Sequence, residues 1–274
     1  MKYIVLSLIN FLAVFVVSFL MWRFIFRKIG KRPSTFIRIL VSVLTAIIFF
    51  VIIGLIYFDD HYAADETALE VLKREDGIKV SETDKFLFVD GKGTEDCLIF
   101  YPGAKVDSAA YLPLMARLAE NGLDCFVVKP PLRFAQFATT AAGKIIKAYD
   151  YETVIVSGHS LGGVVSSIYA GAHSDLVDGL VLLGSYPISD LDDQIQLLTI
   201  YGSEDLILNR KEYERSRSRF PVNFQELIIE GGNHANFGNY GKQEADGEAG
   251  ISRDSQQKIT ADAILELVSR CKGN

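Results

Sequence analysis

Residues 1–58 contain no aspartate and no glutamate. Cysteine is scarce along the whole chain, three in 274 residues, which excludes a disulfide framework. Cys97 and Cys125 each stand five residues before a proline, Pro102 and Pro130, that ends an expected strand. Pairing between them stays open beside the reading of small buried apolar residues. Histidine is limited to four residues, so few side chains are available as a base near neutral pH. Internal repeats and low-complexity segments are absent, which excludes a solenoid or a disordered chain. A basic face is also missing. Seven of the 28 Lys/Arg fall in residues 1–58, and the other 21 are set against 34 acids, a net charge of −13 from residue 59 onward. So acidic a region is no nucleic-acid binder, because phosphate contacts need positive charge.

The acid-free region holds two charge-free runs of 20 residues, 3–22 and 39–58. Each is long enough to cross the hydrocarbon core of a bilayer as a helix. Between them Arg23, Arg27, Lys28, Lys31, Arg32 and Arg38 make a basic loop, 23–38. Only Lys2 precedes the first run, and no Lys or Arg follows the second until Lys73. Basic loops stay in the cytoplasm. The expectation is a transmembrane hairpin over residues 1–58 in the cell membrane, with the following domain on the extracytoplasmic side. A cleaved signal peptide is the rival for the first run, but its n-region is weak and no small-x-small site follows it.

Residues 59–78 read as an acidic, helix-compatible linker. Residues 79–274 are enough for one sizeable core. Apolar runs at 86–89, 97–101, 125–128, 153–157, 179–183, 197–201 and 224–229 read as strands. Helical patterns at 108–121, 134–148, 164–172, 209–219 and 259–270 alternate with them. That alternation implies an α/β fold, a mostly parallel sheet covered by helices on both faces. No separate opening strand is evident before residue 86.

The stretch Gly158-His159-Ser160-Leu161-Gly162-Gly163 fits G-x-S-x-G. A β-type run leads into it and a small-residue helical run leads out, the context of a nucleophile elbow. The bland alternative is a glycine-rich turn with an inert serine. A serine needs a base to take its proton. His61 abuts the second apolar run, His159 belongs to the elbow, and His173 suits a helix C-terminus. His234 follows the last strand and is the candidate base. The base needs a carboxylate to fix its tautomer, from between serine and histidine in chain order. Asp175, Asp178, Asp190, Asp192, Asp193, Glu204 and Asp205 are available. Only Glu204 and Asp205 directly follow a strand, and Asp205 is preferred. Oxyanion donors are expected from the backbone N–H of Leu161 and, in the loop after an earlier strand, of Ala104. Pro102 has no N–H to give.

Four motifs in order, Tyr101-Pro102-Gly103-Ala104-Lys105-Val106-Asp107, Gly158 to Gly163, Tyr201-Gly202-Ser203-Glu204-Asp205 and Gly232-Asn233-His234-Ala235-Asn236-Phe237-Gly238-Asn239-Tyr240-Gly241, resemble the α/β-hydrolase superfamily. More narrowly they resemble the "alpha/beta hydrolase fold-5" family of membrane-anchored or secreted hydrolases. The resemblance covers residues 86–272. It implies an eight-stranded core and a triad of Ser160, Asp205 and His234. Many relatives insert a cap domain after the strand that follows the elbow. Here 185–196 is too short for one, so a shallow site is expected, with Phe134, Phe137, Tyr186 and Phe237 as candidate walls.

The loop 238–255 is a candidate gate. Its acids Glu244, Asp246 and Glu248 fit no calcium-binding spacing, and no cofactor or metal is implied. Arg210, Lys211, Arg215, Arg217 and Arg219 read as a solvated helix, with anionic headgroups the other reading. A serine hydrolase acting on carboxylic esters fits these features, its substrate an ester or other acyl compound, lipid-like ones included. An acyltransferase using the same acyl-enzyme, and a non-catalytic membrane scaffold, are the alternatives.

Overall fold

The computed structural model describes residues 2–74, 77–92 and 95–272, with side chains from residue 10 onward. Glu75 and Asp76 of the expected linker, and the side chains of 3–9 in the first apolar run, lie outside the described residues. The chain divides into two compact units, Met1–Asp60 and His61–Asn274.

The first unit is a pair of helices, α1 (Lys2–Lys28) and α2 (Thr35–Asp59). Over Asn10–Lys28 and Thr35–Asp59 they are long and apolar enough to cross a membrane. Val17, Phe24, Leu55 and Ile56 leave more than half of their surface exposed, an apolar exterior that water disfavours. The helices pack through Phe11 and Phe50, with ring centroids 5.6 Å apart, and Trp22 Nε1 donates to Thr45 Oγ1 at 2.8 Å. Helix α1 runs past the expected end at Trp22. Arg23, Arg27 and Lys28 ride on its last turns, where cations suit the negative end of the helix dipole. Ser34 caps α2 by accepting the N–H of Ile37 at 3.3 Å.

The second unit opens with a short helix, α3 (Glu66–Val71), in the stretch expected as a linker. It is docked rather than free: Ala68 and Val71 are buried, and Tyr62 pairs with Val106 in a β-bridge. Burying the valine alone stabilises the docked form by roughly 1.5 kcal/mol or more. Eight strands follow: β1 (Lys79–Glu82), β2 (Phe86–Asp90), β3 (Asp96–Tyr101), β4 (Asp124–Val128), β5 (Thr153–His159), β6 (Gly179–Leu183), β7 (Gln196–Gly202) and β8 (Gln225–Ile229). They form one sheet in the order β1-β2-β4-β3-β5-β6-β7-β8. β1, β2 and β4 pair antiparallel, and every later neighbour is parallel. An opening strand is therefore present. Sequence reading misses β1 because it is a polar edge strand with only Val80 half-buried.

Every residue of β3, β4, β5 and β6 is buried, which is why these strands read as unbroken apolar runs. One face packs against α4 (Leu112–Glu120) and α8 (Arg253–Cys271) through Leu118, Ile264 and Leu267. The other packs against α5 (Ala141–Ala148) and α6 (Leu161–Ala172) through Ile145, Val165 and Tyr169. Helix α7 (Arg210–Ser216) seats Tyr213 beside Tyr201. Cys125 is in register with Leu98, so Cys97 and Cys125 face opposite sides of the sheet, and both are free.

Two helices start later than periodicity predicts. Leu132 and Arg133 have φ of 54° and 58°, left-handed values that break the expected helix from 134 and delay α5. Residues 108–111 form a 3₁₀ turn before α4, which carries a proline in its first turn. Asp107, just before that 3₁₀ turn, makes no side-chain cap; its carboxylate accepts from Arg133 Nε at 2.6 Å and from the N–H of Ala64 at 3.3 Å.

Candidate active site

At the carboxyl end of β5 the chain turns directly into α6. Ser160 sits at the corner with φ 53° and ψ −122°, a strained conformation for a side-chain-bearing residue. The glycines make the turn possible by leaving out side chains. A Cβ at Gly158 would lie 2.3 Å from the carbonyl carbon of Gly162, and one at Gly162 would lie 2.0 Å from Tyr101 O. The serine backbone is held on both sides: its N–H donates to Leu183 O at 2.9 Å, and its carbonyl accepts from Ser185 Oγ at 2.7 Å. The residue is half-buried, so the corner reaches the surface.

Asp205 follows β7 and His234 follows β8. His234 Nδ1 lies 2.8 Å from Asp205 Oδ2, and both residues are buried. The other carboxylate oxygen, Oδ1, accepts the N–H groups of Ile207 and Leu208 at 3.0 and 2.8 Å. The carboxylate is thus held from its own turn and presented to the imidazole. Its acceptor oxygen places the proton on Nδ1 and leaves Nε2 as the basic nitrogen. Nε2 is buried and makes no hydrogen bond among the described residues. Gly184 makes room for the pair: a Cβ there would lie 2.8 Å from His234 Nδ1 and 3.0 Å from Asp205 Oδ2.

The carboxyl end of the interior strand β5 carries the serine. Its neighbour His159 pairs with Leu183, and the imidazoles of His159 and His234 have centroids 4.4 Å apart. The ring contact between His159 and His234 brings the Ser160 corner to the end of the sheet where the Asp205–His234 pair lies, and among the described residues no hydrogen bond joins Ser160 Oγ to His234 Nε2. Glu204 points elsewhere, with Ser203 Oγ donating to it at 3.1 Å. Asp178 accepts the N–H of Val154, Asp192 that of Gln194 and Asp193 that of Val222, so all three are engaged with backbone away from His234. His61 pairs with Asp107, and His173 stacks on Tyr169, both away from the pair.

Ala104 lies in the loop after β3. Around it, Gly103 N–H donates to Tyr111 Oη at 3.1 Å and Lys105 N–H to Arg133 O at 2.9 Å. The N–H groups of Ala104 and Leu161 donate to no acceptor among the described residues. Leu161 opens α6, where the first amides have no helical partner. Gly162 packs against Tyr101 O and Pro102 O, so the start of α6 lies against the loop that carries Ala104.

The model of the alpha/beta hydrolase family matches residues 97–258, more than half of the chain. The chain belongs to the alpha/beta hydrolase family. Solved structures agree on the fold. Alpha/beta hydrolase domain-containing protein 10 from mouse superposes with a TM-score of 0.51 at 12% identity, over 71% of this chain and 99% of that one. MGS-MChE2, an alpha/beta hydrolase enzyme from a sediment metagenome of the Mar Chica lagoon, gives 0.52 at 14%, over 68% and 98%. A soluble variant of monoglyceride lipase from Saccharomyces cerevisiae gives 0.51 at 12%, over 71% and 95%. No curated protein matches the sequence significantly.

In this alpha/beta hydrolase, 184–195 joins β6 to β7 with no helix or strand between them. Four surface cavities, of 380, 550, 420 and 460 Å³, are lined by none of Ser160, Asp205 and His234. Of the expected walls, Phe137 is exposed, and Phe134 and Tyr186 are half-buried. Phe237 is fully buried, with its ring 5.6 Å from that of His159, so it supports the site from within the core.

Sequence reading passes over the partner of His159. Tyr111 Oη, which accepts from Gly103, stands 2.9 Å from His159 Nδ1, and both side chains are buried. The hydroxyl proton has no other acceptor among the described residues, so it goes to Nδ1 and leaves His159 protonated on Nε2. Burial, then the charge of nearby His234, hold the His159 pKa well below the ordinary histidine value. Burial likewise pushes the Tyr111 hydroxyl far up. The only sequence signal is a tyrosine on the first turn after the Pro-Gly-Ala loop.

Proposed function

We propose that this protein is a membrane-anchored serine hydrolase acting on carboxylic esters. The observation that carries the reading is the state of His234. Its Nδ1 is committed to Asp205, its Nε2 is buried and unpartnered among the described residues, and a strained serine lies on the same rim. Ser160 Oγ attacks the ester carbonyl carbon as His234 Nε2 takes the hydroxyl proton. Asp205 holds the ring and stabilises the imidazolium. The N–H groups of Ala104 and Leu161 receive the oxyanion. The imidazolium returns its proton to the departing alkoxide, leaving an acyl-serine. A water molecule then attacks, again losing its proton to Nε2, and the acid departs as serine regains its hydrogen.

The two N-terminal helices anchor the chain in the cell membrane, and the basic residues between the apolar runs set both ends outside. The hydrolase unit then faces the extracytoplasmic side. A rim without a cap domain suits acyl substrates presented at a surface, lipid-like ones included. The yeast protein of similar fold is a monoglyceride lipase. That activity is the yeast protein's own, and it agrees with this class of substrate.

Hydrolysis of p-nitrophenyl esters of graded chain length tests the chemistry. The full chain in detergent is expected to turn them over, with Ser160→Ala and His234→Ala each lowering kcat by roughly 10³-fold or more. Turnover unaffected by both substitutions contradicts the reading. Protease added to intact cells tests the topology: digestion of the hydrolase unit is expected, and complete protection until lysis contradicts it.

A further inference from the structure

One carboxylate outside the triad touches the chain immediately after both of its buried members. Asp246 Oδ2 accepts the N–H of Ala235, next to His234, at 2.8 Å. Its Oδ1 accepts the N–H of Leu206, next to Asp205, in a longer contact of 3.4 Å. The same oxygen takes the N–H of Gly247 at 2.9 Å, and the N–H of Asp246 donates to Gln243 O at 3.0 Å, so the carboxylate is held in its own turn.

The surrounding loop is seated on the same two turns. Asn233 Nδ2 donates to Gly247 O at 2.8 Å. A Cβ on Gly247 would lie 2.0 Å from Glu204 O, an approach that only glycine permits. Gly250 N–H donates to Gly231 O at 2.8 Å, closing the loop behind the base. The segment expected to gate the rim is thus fastened to the turns that carry the acid and the base.

We infer that Asp246 is a positioning residue that sets the placement of His234 relative to Asp205. The inference rests on the proposed triad. The acid and base sit on separate turns after separate strands, and their side chains meet through the Nδ1–Oδ2 bond. A planar carboxylate holds its two oxygens at a fixed spacing, so accepting one N–H from each turn fixes the turns against each other. Misplacement of a reacting group by about 1 Å costs on the order of 10²-fold in rate. Asp246 touches no reacting atom; it acts through the backbone of its neighbours' turns.

The test uses the full chain in detergent, with p-nitrophenyl butyrate hydrolysis and the rate of fluorophosphonate labelling as readouts. Asp246→Ala is expected to lower kcat by about 30-fold or more while KM stays within about twofold, and to slow labelling in parallel. Asp246→Asn keeps one acceptor oxygen and is expected to recover most of that loss. Should the alanine variant not fold, the asparagine variant carries the test, with a kcat lowered by about 3- to 10-fold. Gly247→Ala, which lifts the loop off Glu204, is expected to reproduce the kcat loss. A wild-type protein that labels and hydrolyses, beside variants that lose thermal stability but keep kcat, overturns the positioning role alone. A wild-type protein that does neither overturns the serine-hydrolase reading on which the role rests.

Discussion

Tyr111 Oη stands 2.9 Å from His159 Nδ1, and together they tie the loop after β3 to the Ser160 corner. The tyrosine oxygen accepts from Gly103, one residue before the proposed oxyanion donor Ala104. The histidine ring packs 4.4 Å from the ring of His234. Tyr111→Phe removes the hydroxyl and strands two buried groups, the Gly103 N–H and His159 Nδ1. The expected cost is about 2–4 kcal/mol of stability. Freed of its anchor, the Ala104 amide loses its aim, and kcat is expected to fall by about 10-fold or more with KM nearly unchanged. Urea unfolding and ester kinetics on the same preparation check both parts.

His159 also makes stability depend on pH. Its folded pKa lies well below 6.5, so below that pH the unfolded chain takes up a proton on this ring that the folded chain refuses. The unfolded state then binds more protons, and stability falls as pH falls below 6.5, with no contribution above it. The slope from this one ring is about 1.4 kcal/mol per pH unit. His159→Gln removes that slope whatever its effect at pH 8. Denaturation curves from about pH 5 to 8 on both proteins measure the difference, and parallel curves contradict it.

Gly184 has φ 52° and faces both members of the Asp–His pair. Gly184→Ala meets a strained backbone and an overlap with His234 Nδ1. The imidazole is expected to swing off Asp205, with kcat falling by about 10²-fold. Proton NMR provides a direct check: the downfield Nδ1–H resonance of the wild type is expected to vanish in the variant.

The thiols are expected to differ in reactivity. Burial pushes the pKa values of Cys97 and Cys125 far up, and that of Cys271 up to about 11. Only the thiolate is nucleophilic. A disulfide reagent at about pH 8 is expected to titrate Cys271 slowly and the other two only after denaturation. Rapid reaction of two or three thiols in the native protein contradicts the packing described for β3 and β4.

Much of this architecture is legible in the sequence because the central strands are buried on both faces and are built almost wholly of apolar residues. The elbow is legible because glycines at 158, 162 and 163 are required by contacts under 3 Å. His234 and Asp205 are legible as groups that follow strands. The edge strand β1 is not, since a polar strand shows no pattern. The docked helix α3 is hidden by acids that face solvent while Ala68 and Val71 face inward. The Tyr111–His159 contact and the Asp246 bonds are hidden for another reason: each joins residues brought together only by the fold. The delayed start of α5 comes from two left-handed residues, Leu132 and Arg133, whose types give no warning.

The most direct measurement is peptide-level mass spectrometry of the full chain in detergent after treatment with a fluorophosphonate. A single phosphonylated site, Ser160, is expected, with labelling lost in Ser160→Ala and strongly slowed in His234→Ala. A wild-type protein that remains unmodified, or one modified equally well without Ser160, contradicts it.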